Sequence, residues 1–209
     1  MASLTDLARR LKLALVAVTD ETRSGDLPAL ATRLPAGSTL IFRHYGAKDR
    51  AALAAKLAVL CRARRIRLFV AGDLSLAMRV RAGLHLPQGM AAGPSPRVRL
   101  WVRRGGPLTA AAHDRTGLRR AAGLGARAAL LSPVFATRSH PGAKPLGLLV
   151  FRRLARQAAL PVIALGGIDG ASILRLKGAP VAGVAAVGAF TPRRRATEDG
   201  AKSGRSEPA

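Results

Sequence analysis

Short apolar runs rich in Val, Ile, Leu and Ala alternate with longer segments of helical period between residues 12 and 190, the mark of successive βαβ units. The apolar runs lack strict polar alternation, as expected for parallel strands buried on both faces. Eight runs read as strands: Lys12–Thr19, Thr39–Arg43, Arg67–Ala71, Gly83–Leu86, Leu108–Ala112, Ala128–Pro133, Pro161–Leu165 and Val181–Val187. Helices are expected between them, most clearly over Asp49–Arg65, Arg115–Gly123, Leu148–Ala158 and Gly170–Lys177. Asp49, Asp114 and Asp169 stand near helix starts, where a carboxylate accepts backbone N–H bonds, so they read as caps. The pattern fades from Gln88 to Pro107, where Gly and Pro leave only Arg97–Arg104 as a short helix. Between Gly25 and Pro35 it supports one or two helical turns at most. Eight strands at this spacing predict a closed (β/α)8 TIM barrel of the α/β class, a single domain over residues 1–190. An open doubly wound sheet shares the alternation, but no G-x-G-x-x-G follows the first strand.

Length and composition agree with one domain. The chain has 209 residues, 49% of them apolar and only 3% aromatic, which suits small and branched side chains packed between helix and strand. After Phe190 the composition turns polar and charged, so residues 191–209 are expected to form a disordered basic tail. A formal charge of +24 raises nucleic acid as a partner. The arginines nevertheless read as spread along helix faces, and few aromatics are present to stack bases, so a solvated basic surface is expected and no nucleic-acid partner. That charge still draws small phosphorylated substrates toward the protein. The single cysteine, Cys61, forms no internal disulfide, and no run approaches the roughly 18 apolar residues of a membrane span. The expectation is a cytoplasmic protein with no membrane partner, with homo-oligomerisation left open.

In a barrel of this kind the chemistry gathers just behind the C-terminal ends of the strands. The segment ALGGI places Gly166 and Gly167 behind the seventh strand, and GVAAVGAF places Val187 and Gly188 at the end of the eighth. Glycines there let backbone N–H groups approach a phosphate, although tight turns alone also call for them. His113 directly follows LTAAA and is the candidate proton donor and acceptor. The loop SPVFATRSH carries Thr137, Arg138, Ser139 and His140, a possible lid with polar groups for substrate. Arg43 behind the second strand is a candidate anion contact, and His85 lies within the fourth strand. His44 and Tyr45 read equally well as the finish of the second strand.

The order of GLHLP, AAAH, the SPVFATRSH loop, ALGGI and GVAAVGAF resembles the superfamily of thiamine phosphate synthase and the TenI-type thiazole tautomerase, over nearly the whole span from Lys12 to Phe190. The resemblance implies a phosphate site on the backbone of Gly166, Gly167, Val187 and Gly188 that holds a hydroxyethylthiazole phosphate. It also implies, for a synthase, Mg2+ and basic residues that hold a diphosphate leaving group. Here the chain departs from the pattern. Ile41 and Tyr45 stand where the synthase has Gln and Lys on either side of Arg43, with Lys48 nearby but out of register. Ala71, Gly72 and Asp73 replace Asn-Asp-Arg, which leaves Asp73 a weak metal candidate, and Met90 replaces the second metal carboxylate. The loop pattern Thr-x-Thr-Lys becomes Thr137, Arg138, Ser139, His140. His113 falls where the tautomerase keeps its proton-transfer histidine, after Ala111 and Ala112.

These features lead to the expectation of a TenI-like thiazole tautomerase of thiamine metabolism, with His113 as general acid and base and no certain cofactor. The alternatives are a divergent thiamine phosphate synthase that requires Mg2+, with Arg43, Lys48, Asp73, Arg138 and His140 rebuilding the diphosphate site, and a barrel that only binds a thiazole or thiamine phosphate.

Overall fold

The computed structural model of the chain describes residues 3–137 and 142–187. The expected tail, residues 191–209, lies outside them, as do Arg138, Ser139, His140 and Gly188. Eight parallel strands close into a barrel in sequence order. They are β1 (Ala14–Val18), β2 (Thr39–Phe42), β3 (Arg67–Ala71), β4 (Gly83–Leu86), β5 (Leu108–Ala112), β6 (Ala128–Leu131), β7 (Val162–Leu165) and β8 (Gly183–Val187), and β1 pairs with β8 to close the ring. Around them lie α1 (Leu4–Arg10), α2 (Leu27–Arg33), α3 (Arg50–Ala63), α4 (Leu74–Arg79), α5 (Gln88–Ala92), α6 (Pro96–Arg103), α7 (Arg115–Gly123) and α8 (Gly147–Gln157).

Alternate residues of each strand serve two apolar layers. In β1, β2 and β3 the side chains of Val16, Val18, Ile41 and Phe69 fill the barrel, while Leu15, Leu40, Phe42 and Val70 pack outward under the helices. Both faces are therefore buried, which is why the strands read as continuous apolar runs. The Phe69 ring lies so close to Gly83 of the neighbouring β4 that a Cβ built there runs into it.

All eight expected strands are present, several of them shorter than the apolar run. The first begins at Ala14, because Lys12 adopts a left-handed φ of 54° and the Leu13 amide closes α1 onto the Ala8 carbonyl. The expected helix over Gly170–Lys177 is instead a 3-10 turn, Ser172–Leu176. Asp169 Oδ1 accepts from the Ala171 and Ser172 amides at 2.9 and 2.8 Å, and this tight cap starts a short connection that closes before Pro180. The region from Gln88 to Pro107 holds two helices rather than one. Gly93 and Pro94 separate α5 from α6, and the Ser95 hydroxyl caps α6 by accepting from the Val98 amide. The short helix α4 was not visible in the periodicity. Asp114 caps α7 through the Gly117 amide at 2.6 Å as expected, whereas Asp49 occupies the N-cap position of α3 without a side-chain capping bond.

Because Gly83 has no room for a methyl group, Gly83→Ala should destabilise the protein by about 1–3 kcal/mol, the usual cost of overpacking. Denaturant unfolding would measure this, and Phe69→Leu in the same background should restore part of the loss.

Candidate functional site

The strand C-terminal ends open into a cavity of about 1090 Å3, lined by residues from Val18 at the end of β1 to Val187 at the end of β8. His85, Ala111, Leu130, Leu165 and Ala185 contribute from within the strands, and the loops behind β1, β2, β5, β6 and β7 form the rim.

His113 stands at this rim. Its backbone amide donates to Gln88 Oε1 at 2.6 Å, and its Nδ1 lies 2.7 Å from the Ser132 carbonyl oxygen, with the Ser132 hydroxyl at 3.3 Å. A carbonyl oxygen only accepts, so Nδ1 must carry the hydrogen. In the neutral ring Nε2 then keeps its lone pair, the form a general base requires. Gln88 was not singled out in the sequence. Its one signal is its position, two residues behind the end of β4.

The glycine turn behind β7 is held through its carbonyls. Those of Leu165 and Gly166 accept from the Val134 and Phe135 amides at 2.9 and 3.1 Å, and that of Gly167 accepts from the Ser172 hydroxyl at 2.8 Å. Gly166 and Gly167 have φ of 97° and 64°, and a Cβ on either would lie 2.7 Å from Pro133 Cα or 2.5 Å from the Ala136 carbonyl oxygen. The loop behind β6 thus presses directly on this turn. Both glycines and Val187 line the cavity.

Arg43 lines the cavity too, but it is already paired: its Nη2 lies 3.0 Å from Asp20 Oδ2. Burial works against the Asp20 charge, yet hydrogen bonds from Thr22 and the charges of Arg23 and Arg43 outweigh it and hold the carboxyl below its ordinary value. Glu21, also at the rim, accepts from the Gly46 amide at 2.9 Å. His85 is deeply buried on the cavity floor, with Nδ1 3.0 Å from the Thr109 hydroxyl. Burial, helped by the Arg43 charge, pushes its pKa down to about 4, so it is neutral near pH 7. Thr137 lines the cavity, and Tyr45 reaches its edge. His44 does not line it: the imidazole is buried, stacks on Phe42 with centroids 5.3 Å apart, and bonds the Thr19 hydroxyl. Asp73 is not in the lining either. Its Oδ1 caps α4 through the Leu76 amide and its Oδ2 pairs with Arg50 at 3.1 Å.

A family model described as thiamine monophosphate synthase matches residues 15–190. The chain belongs to this family. A putative thiamine-phosphate synthase 2 of Aquifex aeolicus is 32% identical over 163 residues, which covers 74% of this chain and 84% of that protein. The thiamine-phosphate synthase of Latilactobacillus sakei is 30% identical over 200 residues, covering 90% and 88%. Among solved structures, the thiamine phosphate pyrophosphorylase from Pyrococcus furiosus superposes with a TM-score of 0.70 at 22% identity, covering 86% of this chain and 87% of that one. FabK from Thermotoga maritima shares the barrel at a TM-score of 0.64 and 17% identity, over 91% of this chain and 62% of that one. As a thiamine monophosphate synthase family member, the protein is an enzyme of thiamine biosynthesis. No helix among the described residues is long and apolar enough to cross a membrane.

The synthase chemistry of this family implies Mg2+, which takes a near-octahedral set of oxygen donors. The donors present do not fit it. Asp73 is committed to α4 and Arg50, Asp20 to Arg43, and Met90 offers a thioether; among the described residues no group of three or more His, Cys, Asp or Glu side chains is placed to hold a metal.

The buried His85 makes stability pH-dependent. The unfolded chain binds a proton at His85 near pH 6.5, while the folded protein resists it down to about pH 4. Unfolding free energy should therefore fall as pH drops from about 6.5 to about 4, by up to about 3 kcal/mol. His85→Gln should flatten that part of the curve, as followed by urea unfolding at several pH values.

Proposed function

We propose that this enzyme is a thiazole tautomerase. A thiazole phosphate sits in the mouth of the barrel. His113 Nε2 takes a proton from one carbon of the thiazole tautomer, the double bonds shift, and a proton is returned at a second carbon, so that the isomer keeps the same atoms and electrons. The observation that carries this reading is the Nδ1 contact to the Ser132 carbonyl, which leaves the Nε2 lone pair of the neutral ring free at the cavity rim. The phosphate rests on backbone N–H groups of Gly166, Gly167, Val187 and Gly188, and the use of the turn's carbonyls in packing against the β6 loop is consistent with amides left for a ligand. The neutral His85 suits a floor for an uncharged heteroaromatic ring. Thr137, Arg138, Ser139 and His140 belong to the loop that would cover the ligand, and residues 1–190 act as one catalytic domain.

The second reading is a synthase that joins hydroxymethylpyrimidine diphosphate to the thiazole phosphate. Both relatives, named as thiamine-phosphate synthases, favour it. The committed carboxylates at Asp20 and Asp73, and Arg43 already paired with one of them, weigh against it.

His113→Ala should slow tautomerisation by about 10² to 10⁴-fold while the thiazole phosphate still raises the melting temperature. In parallel, the wild-type protein is incubated with both synthase substrates and Mg2+, and thiamine monophosphate is followed by chromatography. Tautomerisation without that product supports the first reading; Mg2+-dependent product at a useful rate establishes the second.

A further inference from the structure

A second cavity, of about 560 Å3, lies at the opposite end of the barrel, where β3 to β6 begin and α3, α4 and α6 end. Its walls are apolar and include Trp101, Met78 and Phe69, and its margin carries Arg62, Arg67, Arg81 and Arg127. Three of these guanidinium groups are steered by backbone carbonyls. Arg62 donates to Val80 at 3.3 Å, Arg67 to Gly37 at 3.1 Å and Arg127 to Gly105 at 3.4 Å. Among the described residues none of the four is in an ion pair.

The barrel's polarity explains why no carboxylate is at hand. Apart from Asp6 in the first turn of α1, every carboxylate of the described residues lies between a strand's C-terminal end and the start of the next helical segment, from Asp20 behind β1 to Asp169 behind β7. Every α-helix except α5 carries an arginine in its last turn, so residues spread along the sequence are gathered at one end. Offsetting the helix dipole accounts for roughly half a unit charge per helix terminus. The end of α3 alone has Arg62, Arg64 and Arg65, with Arg67 following, so an excess of positive charge remains. Arg81 is also held at a left-handed φ of 54°, a conformation in which glycine would be less strained.

We infer that this recess is a second ligand site, for a small organic anion with a planar apolar body and a phosphate or diphosphate group. The apolar walls take the body, and the arginines take the anion. The site is independent of the chemistry assigned to the other end of the barrel.

Trp101 is the only tryptophan of the chain and lines this recess but not the catalytic cavity, so its emission reports occupancy directly. ADP serves as the probe, with inorganic diphosphate and adenosine as controls for charge alone and body alone. ADP should change the emission saturably, with each control binding more weakly. Arg81→Gly combined with Arg127→Ala should weaken ADP binding by about tenfold or more, the loss expected for charge-assisted contacts, with family activity unchanged. Arg81→Gly relieves backbone strain, so this variant is expected to fold, as far-UV circular dichroism would verify. No saturable change with millimolar ADP, equal binding of diphosphate alone, or undiminished ADP binding in the folded variant would overturn the inference.

Discussion

The fold rests on the closure of eight parallel strands into a ring. Once the strands all point one way and the helices return outside them, every strand end opens on one mouth and every helix end on the other. Residues as far apart as Asp20 and Val187 then line a single cavity. The same geometry sorts charge, with carboxylates near the mouth at the strand C-terminal ends and the last-turn arginines of the helices at the opposite end. Neither effect needs a specific contact between distant segments beyond the ladder that closes the barrel.

The loop behind β6 links two parts of the mouth at the strand C-terminal ends. Ser132 supplies the carbonyl that orients His113, while Pro133, Phe135 and Ala136 press against the backbone of Gly166 and Gly167. The glycines are thus demanded by packing before any ligand is considered. A side chain there would push on the segment that sets the imidazole, so the turn proposed to hold phosphate and the group proposed to move the proton are mechanically coupled. Gln88 braces the His113 backbone from the start of α5, a third element converging on one residue.

Much of this was legible in the sequence because the barrel imposes a regular rhythm. Strands buried on both faces give apolar runs that stand out, and residues behind those runs fall at the mouth, which is how His113, Gly166, Gly167 and Val187 could be placed. Short helices such as α4 and α5 were lost because five or six residues give too few turns for a period to show. The engagement of Arg43 with Asp20, and of Asp73 with Arg50, was invisible because each pair joins residues 23 positions apart across neighbouring strands. The gathering of arginines at one end escaped for a related reason. Along the chain they look dispersed, and only the common direction of the helices brings them together.

The base proposed for the reaction is His113, with hydrogen on Nδ1 toward the Ser132 carbonyl and a lone pair on Nε2. Nitrogen-15 NMR of the imidazoles reads this directly, with the His113 signal assigned among the four histidines of the chain by loss in His113→Asn. The Nδ1–H tautomer at His113, with Nε2 perturbed when thiazole phosphate is added, is the predicted result. An Nε2–H tautomer, or a ring indifferent to the ligand, would contradict the account.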